Sequence, residues 1–533
     1  MKRTMALGLA VSLSGLATGG MAYGLPGLPG LGQLELSAKE RKADPQSYEF
    51  VVKQNANRPV YLSCREDGLL GERHLMRGTP DGEQTFVLRG LKADTSYTCV
   101  ARWKAAPLRG SNQVSFHTKP LPDDLVVPKV NRPTRELQRV GYVLYNSGNM
   151  YYEGEMSEDF DPSLLRTDSN YLVILDAQGN VRWYKEGPGG GDIEAKYLGD
   201  NRILLGGQSM PGIYPPQVVN LDKRVELIAT QERTFTHEYA SRYGLFYNHE
   251  AHLSERNTVF TLVHTLSPID QATLGFVVKE FPLADPDGNG IMDEPIWTWD
   301  SLNAARDGKI DHTSERFPTD PLHANSVYTG YDESGRFSVY VSMRNNSHII
   351  KIDYQTGEIM WTMGFDTDDF TLLNKDGTPA RPQKWFFNQH DVQYHNGILT
   401  MNDNGSDRFL AKGFPHSRML KLEINEAART LRILDEYIEP GWMEPFWGGY
   451  DILENGDQLM AVGHCGFCGF PTKRLSRVFM ADDKGNVFWR AEVPEETGAN
   501  TMFYRAARID GCAIFNNTTY CPSLANFLLE PGN

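Results

Sequence analysis

Short runs of alternating apolar and polar residues fill most of this chain, whereas helical periodicity is nearly absent. Residues 171–183 are typical of a β-hairpin, with a turn at 178–180 and an aromatic residue at the end of the second strand. The pattern recurs in two strong copies and three weaker ones, at 349–361, at 478–489 and from near Gln217, Phe276 and Met419. Each hairpin is followed by a second strand pair, for example at 201–205 or 457–461. Six four-stranded units of roughly 45 to 75 residues predict a six-bladed β-propeller.

The region before these repeats has a different pattern. Between residues 47 and 120, five short alternating strands are separated by turns. The segment from Phe86 to Tyr97 resembles the strand, corner and tyrosine pattern of fibronectin type III and immunoglobulin-like domains. We therefore predict an all-β chain in which a small immunoglobulin/fibronectin-like β-sandwich precedes the propeller. A Pro-rich linker at 119–133 separates the two domains.

The first residues carry a secretory signal pattern. Lys2 and Arg3 are basic, residues 5–16 are apolar or small, and small residues follow at 19–22. The apolar run is too short for a stable membrane-spanning helix, and the alternative is an apolar leader that is not cleaved. No other run is long and apolar enough to span a membrane, so we expect a periplasmic or secreted protein. The predicted organisation is a signal peptide at 1–22, a linker at 23–46, the sandwich at 47–120 and the catalytic propeller at 134–533.

Composition narrows the class of partner. Among 533 residues, 68 are acidic and 53 are basic, which gives a net charge of -15. This balance argues against nucleic acid or an anionic membrane as the main partner. An anionic small-molecule substrate remains compatible with it, because a few arginines in a cleft decide the local charge.

The 6 cysteines are placed as expected for an oxidising compartment. By proximity we expect three disulfides, Cys64–Cys99, Cys465–Cys468 and Cys512–Cys521. The CxxC motif also has a redox or metal-binding interpretation. No second CxxC or neighbouring histidine pair completes a zinc site, so a small structural disulfide is favoured there.

Three histidines occupy matching places in the repeat, each just upstream of a predicted inner strand: His249, His323 and His390. In a propeller the starts of the inner strands face a central funnel, so these side chains should ring one mouth of the channel. A single histidine is more often a surface or satisfied core residue. Three at equivalent positions favour a functional cluster.

An ordered series of short motifs surrounds these histidines, namely HANS at 323–326, SMRNNS at 342–347, KID at 351–353, QHD at 389–391, DNG at 403–405 and YRA at 504–506. The series resembles the bacterial arylsulfotransferases, which are aryl-sulfate sulfotransferases that use no nucleotide sulfate donor. The resemblance covers the chain from about Tyr142 onward. The sandwich is similar to the N-terminal domain of that family.

The resemblance implies a covalent mechanism. A histidine attacks the sulfur of a phenyl sulfate, carries the sulfuryl group and passes it to another phenol, and the matching residue is His390. His323, Asn325 and Arg344 would stabilise charge on the sulfuryl oxygens, with Arg344 offering a planar fork to two of them. His249 or His323 is the candidate for proton transfer to and from the phenols.

Further candidates follow from the same resemblance and from the chain itself. Thr501 resembles a late threonine that hydrogen-bonds the sulfate, and His252 is the rival of His249. Asp391 is interpreted as a structural turn contact. Three aromatic residues either stack on an aromatic substrate or pack between blades: Trp442, Phe446 and Trp447.

The implied chemistry requires no cofactor, and the implied partners are an aryl sulfate donor and a phenolic acceptor. A homodimer through the sandwich is a further hypothesis. Two other classes of function stay open at this point. One is a different propeller enzyme, either a sulfate ester hydrolase or a quinone-dependent dehydrogenase, and the other is a noncatalytic binding propeller.

A separate acidic loop matches a calcium site of the DxDxNG type, with Asp285, Asp287, Asn289 and Asp293 as candidate ligands. Ile296 stands at the twelfth position, where an EF-hand has a bidentate glutamate, so the loop is not a full EF-hand. The loop is therefore either a structural calcium site or an Asp/Gly-rich turn without metal.

Overall fold

The structure is a computed structural model. It describes residues 32–41, 44, 46–152, 165–186, 192–199, 202–208, 217–220, 225–227, 247–269, 273–283, 295–407, 416–439, 442–463, 476–494 and 501–526. Two groups of predictions lie outside these residues and stay predictions: the signal peptide at 1–22, and the Cys465–Cys468 pair with the calcium loop of Asp285, Asp287, Asn289 and Asp293.

The all-β prediction is confirmed. Within the described ranges, helical structure is limited to short pieces, namely α1 (Leu137–Val140), α2 (Ser301–Arg306), α3 (Ser523–Asn526) and one 3-10 turn (Pro382–Lys384).

Eight strands form the N-terminal region: β1 (Leu34–Glu40), β2 (Tyr48–Gln54), β3 (Val60–Glu66), β4 (Arg73–Arg77), β5 (Glu83–Leu88), β6 (Ser96–Trp103), β7 (Ala106–Gly110) and β8 (Val114–His117). One sheet has the order β1-β2-β5, and the other has the order β4-β3-β6-β7 with β8 also paired to β6. Every second residue of β6 is buried, because one face of a sheet packs inward and the side chains alternate between faces.

The two N-terminal sheets share one apolar core. Phe50 of one sheet and Leu62 and Tyr97 of the other belong to the same buried cluster. The hydroxyl of Tyr97 accepts a hydrogen bond from the backbone N–H of Lys92 at 3.0 Å, as expected for a tyrosine corner. The disulfide Cys64–Cys99 joins residues directly opposite each other on β3 and β6.

The remaining strands are β9 (Lys129–Arg132), β10 (Tyr142–Tyr152), β11 (Leu165–Asp176), β12 (Val181–Glu186), β13 (Asp192–Gly199), β14 (Arg202–Gln208), β15 (Gln217–Asn220), β16 (Val225–Leu227), β17 (Tyr247–Leu253), β18 (Thr258–Leu266), β19 (Leu274–Pro282), β20 (Trp297–Asp300), β21 (Ala324–Tyr331), β22 (Phe337–Met343), β23 (His348–Asp353), β24 (Ile359–Met363), β25 (Thr371–Leu373), β26 (His390–His395), β27 (Ile398–Asp403), β28 (Arg418–Asn425), β29 (Thr430–Tyr437), β30 (Gly449–Ile452), β31 (Gln458–Val462), β32 (Arg477–Ala481), β33 (Val487–Glu492), β34 (Thr501–Met502) and β35 (Ala506–Ile509).

These strands form six sheets that follow one another along the chain. They consist of β10–β12 with β34 and β35, β13–β16, β17–β20, β21–β24, β25–β29, and β30–β33 with β9. All neighbouring strands are antiparallel except β25, which runs parallel to β29. The late strand β35 pairs with β10, and the early strand β9 pairs with β33, so segments distant in sequence complete the first and last sheets.

Two predicted linkers contain strands, and both assignments are corrected here. β1 lies in the segment 23–46 and pairs with β2 along its whole length. β9 lies in the segment 119–133 and pairs with β33. Both strands sit at sheet edges and are flanked by Pro- or Gly-rich sequence. Their backbone hydrogen bonds come from partners that the local sequence does not reveal.

The repeated hairpins have a common local cause. In the three strongest copies an aspartate ends the first strand: Asp176, Asp353 and Asp482. Its Oδ1 accepts hydrogen bonds from backbone N–H groups within the following turn. The glycine of each turn has a positive φ, between +72° and +91°, which glycine adopts without strain.

The first strands of successive sheets contact one another in order. β10 contacts β13, β13 contacts β17, β17 contacts β21, β21 contacts β26, and β26 contacts β30. β35 contacts both β13 and β31, so the series of contacts returns to the first sheet. Residues at the starts of these strands are therefore neighbours in space although they are far apart in sequence.

Candidate active site

The three predicted histidines lie at or just before the starts of three first strands, β17, β21 and β26. In each strand the antiparallel register shifts within the first few residues. The backbone φ is positive at His249 (+56°), His323 (+47°) and Asp391 (+54°). Such bulges redirect side chains near functional sites, and positive φ is uncommon outside glycine. The same local distortion therefore recurs at all three histidines.

These distortions bring the three imidazoles together. Nε2 of His249 lies 3.2 Å from Nε2 of His323. The ring of His249 is 6.3 Å from that of His390, measured between centroids, and nearly perpendicular to it at 89°. We call His249, His323 and His390 the histidine cluster.

Two residues close the ends of the His249–His323 pair. The hydroxyl of Tyr504 lies 3.2 Å from Nδ1 of His249. Oδ2 of Asp320 lies 2.5 Å from Nδ1 of His323, and Oδ1 of the same carboxylate accepts the backbone N–H of His323 at 3.2 Å. Every ring nitrogen of the pair therefore has a hydrogen-bonding neighbour.

The tautomer of His390 follows from its contact with Asn404. Nδ2 of Asn404 donates to two backbone carbonyls, those of Glu444 at 2.7 Å and Trp447 at 3.0 Å. Oδ1 of Asn404 therefore faces Nδ1 of His390, at 2.8 Å. Because an amide oxygen can only accept, Nδ1 of His390 carries the proton and Nε2 carries the lone pair.

Burial keeps the nucleophile candidate neutral. The pKa of His390 lies well below its usual value because the ring is buried and the Arg344 guanidinium repels a second positive charge. The pKa of His249 is also well below its usual value, through burial and the neighbouring His323. Both imidazoles are therefore uncharged at neutral pH, and an uncharged imidazole has the lone pair that nucleophilic attack requires.

Arg344 is buried, with 5% of its surface exposed, and is only partly satisfied. Nη1 donates to Oδ1 of Asn345 at 2.6 Å, and Nη2 donates to the carbonyl of Pro445 at 3.0 Å. Nε has no hydrogen-bond partner among the described residues. Burial, together with the nearby Arg316, lowers the pKa of Arg344 to about 10. The side chain is therefore a desolvated cation with an unused donor.

Asn325 and Arg505 tie the histidine-bearing strands together. Nδ2 of Asn325 donates to the carbonyl of Gln389 at 2.7 Å, and the carbonyl of Asn325 accepts from Nη2 of Arg505 at 3.1 Å. Nη1 of Arg505 lies 2.6 Å from Glu250 and 3.4 Å from Asp391, the residues that follow His249 and His390. One guanidinium therefore contacts all three strands.

Asp391 has more contacts than the sequence suggested. Its Oδ2 accepts the backbone N–H of Tyr450 at 2.8 Å, which is the structural contact expected of it. The ion pair with Arg505 is additional.

Two other candidates lie apart from the histidine cluster. Nε2 of His252 lies 2.9 Å from the hydroxyl of Thr329, and its ring packs on Tyr328 at 4.3 Å between centroids. Thr501 lies in β34, where its backbone is opposite Asn149. The structure therefore brings neither residue into a described contact with the three histidines.

The three aromatic candidates have different environments. Trp442 and Trp447 are buried, as expected for packing. Phe446 is 38% exposed, and the guanidinium of Arg344 lies over its ring at 4.8 Å from the centroid. Phe446 is thus the member of this group that combines an accessible aromatic face with a neighbouring cation.

Sequence reasoning assigned no role to Asp320, Asn404 or Tyr504, although all three contact the histidine cluster. Asn404 and Tyr504 stand within quoted motifs, so the motifs marked their positions but not their partners. Asp320 precedes His323 by three residues, and a carboxylate this close to a histidine in a loop is the signal that was available.

The described residues show neither a metal site nor a membrane span. No group of three or more His, Cys, Asp or Glu side chains in the described part of the chain is arranged to hold a metal ion. No helix among these residues is long and apolar enough to cross a membrane.

Comparison with solved structures finds only distant likenesses. A GH43_1 enzyme from Xanthomonas citri is 10% identical, with 57% of this chain and 85% of that chain covered and a TM-score of 0.27. AztD from Citrobacter koseri is 8% identical, with 84% of this chain and 98% of that chain covered, also at 0.27. At such TM-scores these likenesses carry no argument about fold or activity. Comparison with curated proteins gives no match.

The family comparison is decisive. The model of the family described as Arylsulfotransferase (ASST) matches residues 142–505, which include all six sheets and the whole histidine cluster. The resemblance noted in the motifs is thereby confirmed, and the chain belongs to the arylsulfotransferase family.

Proposed function

We propose that this protein transfers a sulfuryl group from an aryl sulfate to a phenolic acceptor, and that His390 carries the group between the two. Membership of the family supports sulfotransferase activity in general. The observation that carries the finer proposal is the anchored amide of Asn404, which leaves the lone pair of His390 on Nε2. A neutral, oriented imidazole is the form that attacks sulfur.

The fold proposed for this reaction is a six-bladed β-propeller with an immunoglobulin/fibronectin-like sandwich before it. Support comes from the order of the six sheets and from contacts of β35 with both β13 and β31, which return to the first sheet. In such a ring the starts of β17, β21 and β26 line one central opening. A substrate would enter there.

The transfer proceeds in two half-reactions. In the first, Nε2 of His390 forms a bond to sulfur while the bond from sulfur to the donor's phenolic oxygen breaks. The oxygen leaves with the bonding electron pair and receives a proton from His249 or His323. In the second, the hydroxyl oxygen of the acceptor attacks the sulfur, the N–S bond breaks, and the acceptor's proton returns to the same histidine.

Charge on the transferring group requires a cationic partner. The sulfuryl oxygens stay negative throughout, and Arg344 offers the unused Nε–H beside the remaining hydrogens of its two Nη atoms. Because the guanidinium is already desolvated, its attraction for an anion is stronger than at the surface. Asn325 has a second amide hydrogen available beyond its bond to Gln389.

The exposed ring of Phe446 is proposed to face the arene of the substrate. Its position beside Arg344 would allow the aromatic ring and the sulfate of one ligand to be held by neighbouring residues. This arrangement favours aryl over alkyl sulfates.

We propose a periplasmic or extracellular location. The disulfides Cys64–Cys99 and Cys512–Cys521 are the support, since such bonds persist in oxidising compartments. Association into a homodimer through the N-terminal sheets stays a prediction.

The test of the transfer reaction uses p-nitrophenyl sulfate with and without added phenol. We expect p-nitrophenolate release to accelerate with phenol, phenyl sulfate to form, and intact mass to show a sulfuryl adduct when phenol is omitted. His390→Ala should abolish release and the adduct while leaving the melting temperature unchanged. His395→Ala, at the far end of β26 and in contact with Tyr328, is the matched control and should keep activity.

Two outcomes would contradict the proposal. Activity retained in His390→Ala would remove the nucleophile assignment. Formation of inorganic sulfate instead of phenyl sulfate would indicate the alternative, a sulfate ester hydrolase.

A further inference from the structure

Four side chains form one hydrogen-bonded series in the candidate site. Asp320 contacts Nδ1 of His323 at 2.5 Å, the two histidines meet through Nε2 at 3.2 Å, and Tyr504 contacts Nδ1 of His249 at 3.2 Å. The residues come from the loop before β21, from β17 and from the segment before β35. The series is therefore assembled by the tertiary structure.

With neutral rings, the protons in this series have one consistent arrangement. The carboxylate of Asp320 can only accept, so Nδ1 of His323 is protonated and its Nε2 carries a lone pair. That lone pair accepts from Nε2–H of His249, whose Nδ1 then accepts from the hydroxyl of Tyr504. All the hydrogen bonds point toward Asp320, which makes His323 the ring where an added proton is best stabilised.

We propose that Asp320 is a positioning residue that makes His323, rather than His249, the proton carrier of sulfuryl transfer. This inference rests on the proposed function and decides between the two histidines that it leaves open. An aspartate paired with Nδ1 stabilises the imidazolium that forms when Nε2 takes up a proton. His249 has a neutral phenol in the corresponding place.

Exposure and charge agree with this division of roles. The side chain of His323 is 27% exposed, whereas His249 is only 4% exposed, so a phenol reaches His323 more readily. Burial would raise the pKa of Asp320, but His323 holds it down at about 2, so the carboxylate stays ionised. Burial and the neighbouring His323 hold the pKa of His249 well below its usual value.

Other titratable groups near His323 do not replace Asp320. The ring of His264, on β18, lies 6.2 Å from that of His323 between centroids, and burial lowers its pKa to about 4. His390 and Arg344 add no negative charge to the site. Asp320 is the carboxylate in direct contact with His323 in the described part of the chain.

The proton balance of each half-reaction is then complete. His323 begins with protons on both nitrogens and gives the Nε2 proton to the departing phenolic oxygen as the N–S bond forms on His390. It then holds a lone pair on Nε2. The acceptor hydroxyl loses its proton to that lone pair as its oxygen bonds to sulfur, so the starting state returns without any outside acid or base.

The experiment measures how the rate depends on the donor's leaving group. Asp320→Asn removes the charge and keeps the size of the side chain. Single-turnover release is compared for phenyl sulfate, whose phenolate needs a proton, and p-nitrophenyl sulfate, whose phenolate is stable without one. We expect the variant to lose about 100-fold or more with phenyl sulfate and less than about tenfold with p-nitrophenyl sulfate.

Matched variants distinguish positioning from a structural effect. Asp366→Asn removes a similar Asp–His contact, 2.5 Å from His348, and should change neither donor. Asp320→Glu should recover part of the rate with phenyl sulfate. His323→Gln should reproduce the leaving-group dependence of Asp320→Asn, and His249→Gln should not.

An equal loss for both donors, or no loss for either, would overturn the role of Asp320. The stronger leaving-group dependence in His249→Gln would overturn the choice of His323. Absence of sulfuryl transfer in the wild-type protein would instead refute the proposed function, so the two failures are distinguishable.

Discussion

Two buried arginines show how differently this chain treats a charge removed from water. Arg182 lies between the N-terminal sheets and the first of the six sheets, with Glu72 at 2.5 and 2.6 Å and Asp176 at 2.6 Å. Arg344 lies beside the histidine cluster, where no described carboxylate is within ion-pair distance. The first cation is fully paired and the second is held by neutral oxygens.

The ionisation of the two regions differs accordingly. Burial opposes charge on Glu72, but Arg182 outweighs it and holds the pKa of Glu72 well below its usual value. Asp176 and Glu72 likewise raise the pKa of Arg182, whereas burial lowers that of Arg344 to about 10. A completed network stabilises a contact between regions of the fold. An incomplete one has free energy to gain from an anion, which is the property that a sulfate site needs.

Removal of the paired arginine should have the largest effect on stability. Arg182→Met leaves Glu72 and Asp176 buried without a counter-ion and should cost about 3–5 kcal/mol of unfolding free energy. Urea denaturation followed by tryptophan fluorescence measures this. The control is Arg432→Met, which removes an exposed pair with Glu423 and should cost less than about 1 kcal/mol.

The folded fraction of Arg182→Met should keep its turnover number, because the substituted side chain is remote from the histidine cluster. A loss of activity without a loss of stability would contradict the distinction between the two regions.

Substitution of the unpaired arginine should have the opposite profile. Arg344→Lys loses the planar fork and should cost about 2 kcal/mol or more of transition-state stabilisation, seen in kcat/KM for p-nitrophenyl sulfate. The melting temperature should change little, since no ion pair is lost. An unchanged kcat/KM would show that Arg344 does not contact the sulfate.

Mild acid should weaken the histidine-rich region and spare the Arg182 contact. Burial lowers the pKa of four histidines, namely His249, His252, His264 and His390. Below pH 6.5 the unfolded chain protonates these groups and the folded protein does not, so stability falls as pH falls. Burial acts in the opposite direction on Glu250 and Asp451, whose pKa values it raises to about 8 and about 7.

The histidines outnumber the two carboxyls, so the net loss between pH 6.5 and 5 should be at least about 1.4 kcal/mol per pH unit. Melting temperatures across this range measure it. His252→Gln removes one of the histidines and should make the dependence shallower. Stability that stays constant or increases toward pH 5 would contradict the assignment.

Local patterns predicted most strands correctly. The hairpin repeat at 171–183, 349–361 and 478–489 corresponds to strand pairs in the first, fourth and sixth sheets, because alternation and an Asp/Gly turn are local properties. β1 and β9 were missed as linkers, since their pairing partners lie elsewhere in the chain. Edge strands depend on those partners more than on their own pattern.

The candidate site was predictable in part. The three histidines were identified by their equivalent places in the repeat, and the structure brings them together. His252 was an equal rival in sequence, yet it faces Thr329, because the register shift at the start of β17 separates the two positions. Bulges of this kind have no clear signature in a single sequence.

The sequence by itself determined the all-β class, the repeat, the arylsulfotransferase family and the identity of the central histidines. Only the tertiary structure decided which nitrogen of His390 is free, which carboxylate stands behind His323 and which arginine is left unpaired. The physical reason is range. Alternation and turns depend on residues close in sequence, whereas proton positions and pKa values depend on partners such as Asn404, Asp320 and Tyr504 that converge only when the sheets meet.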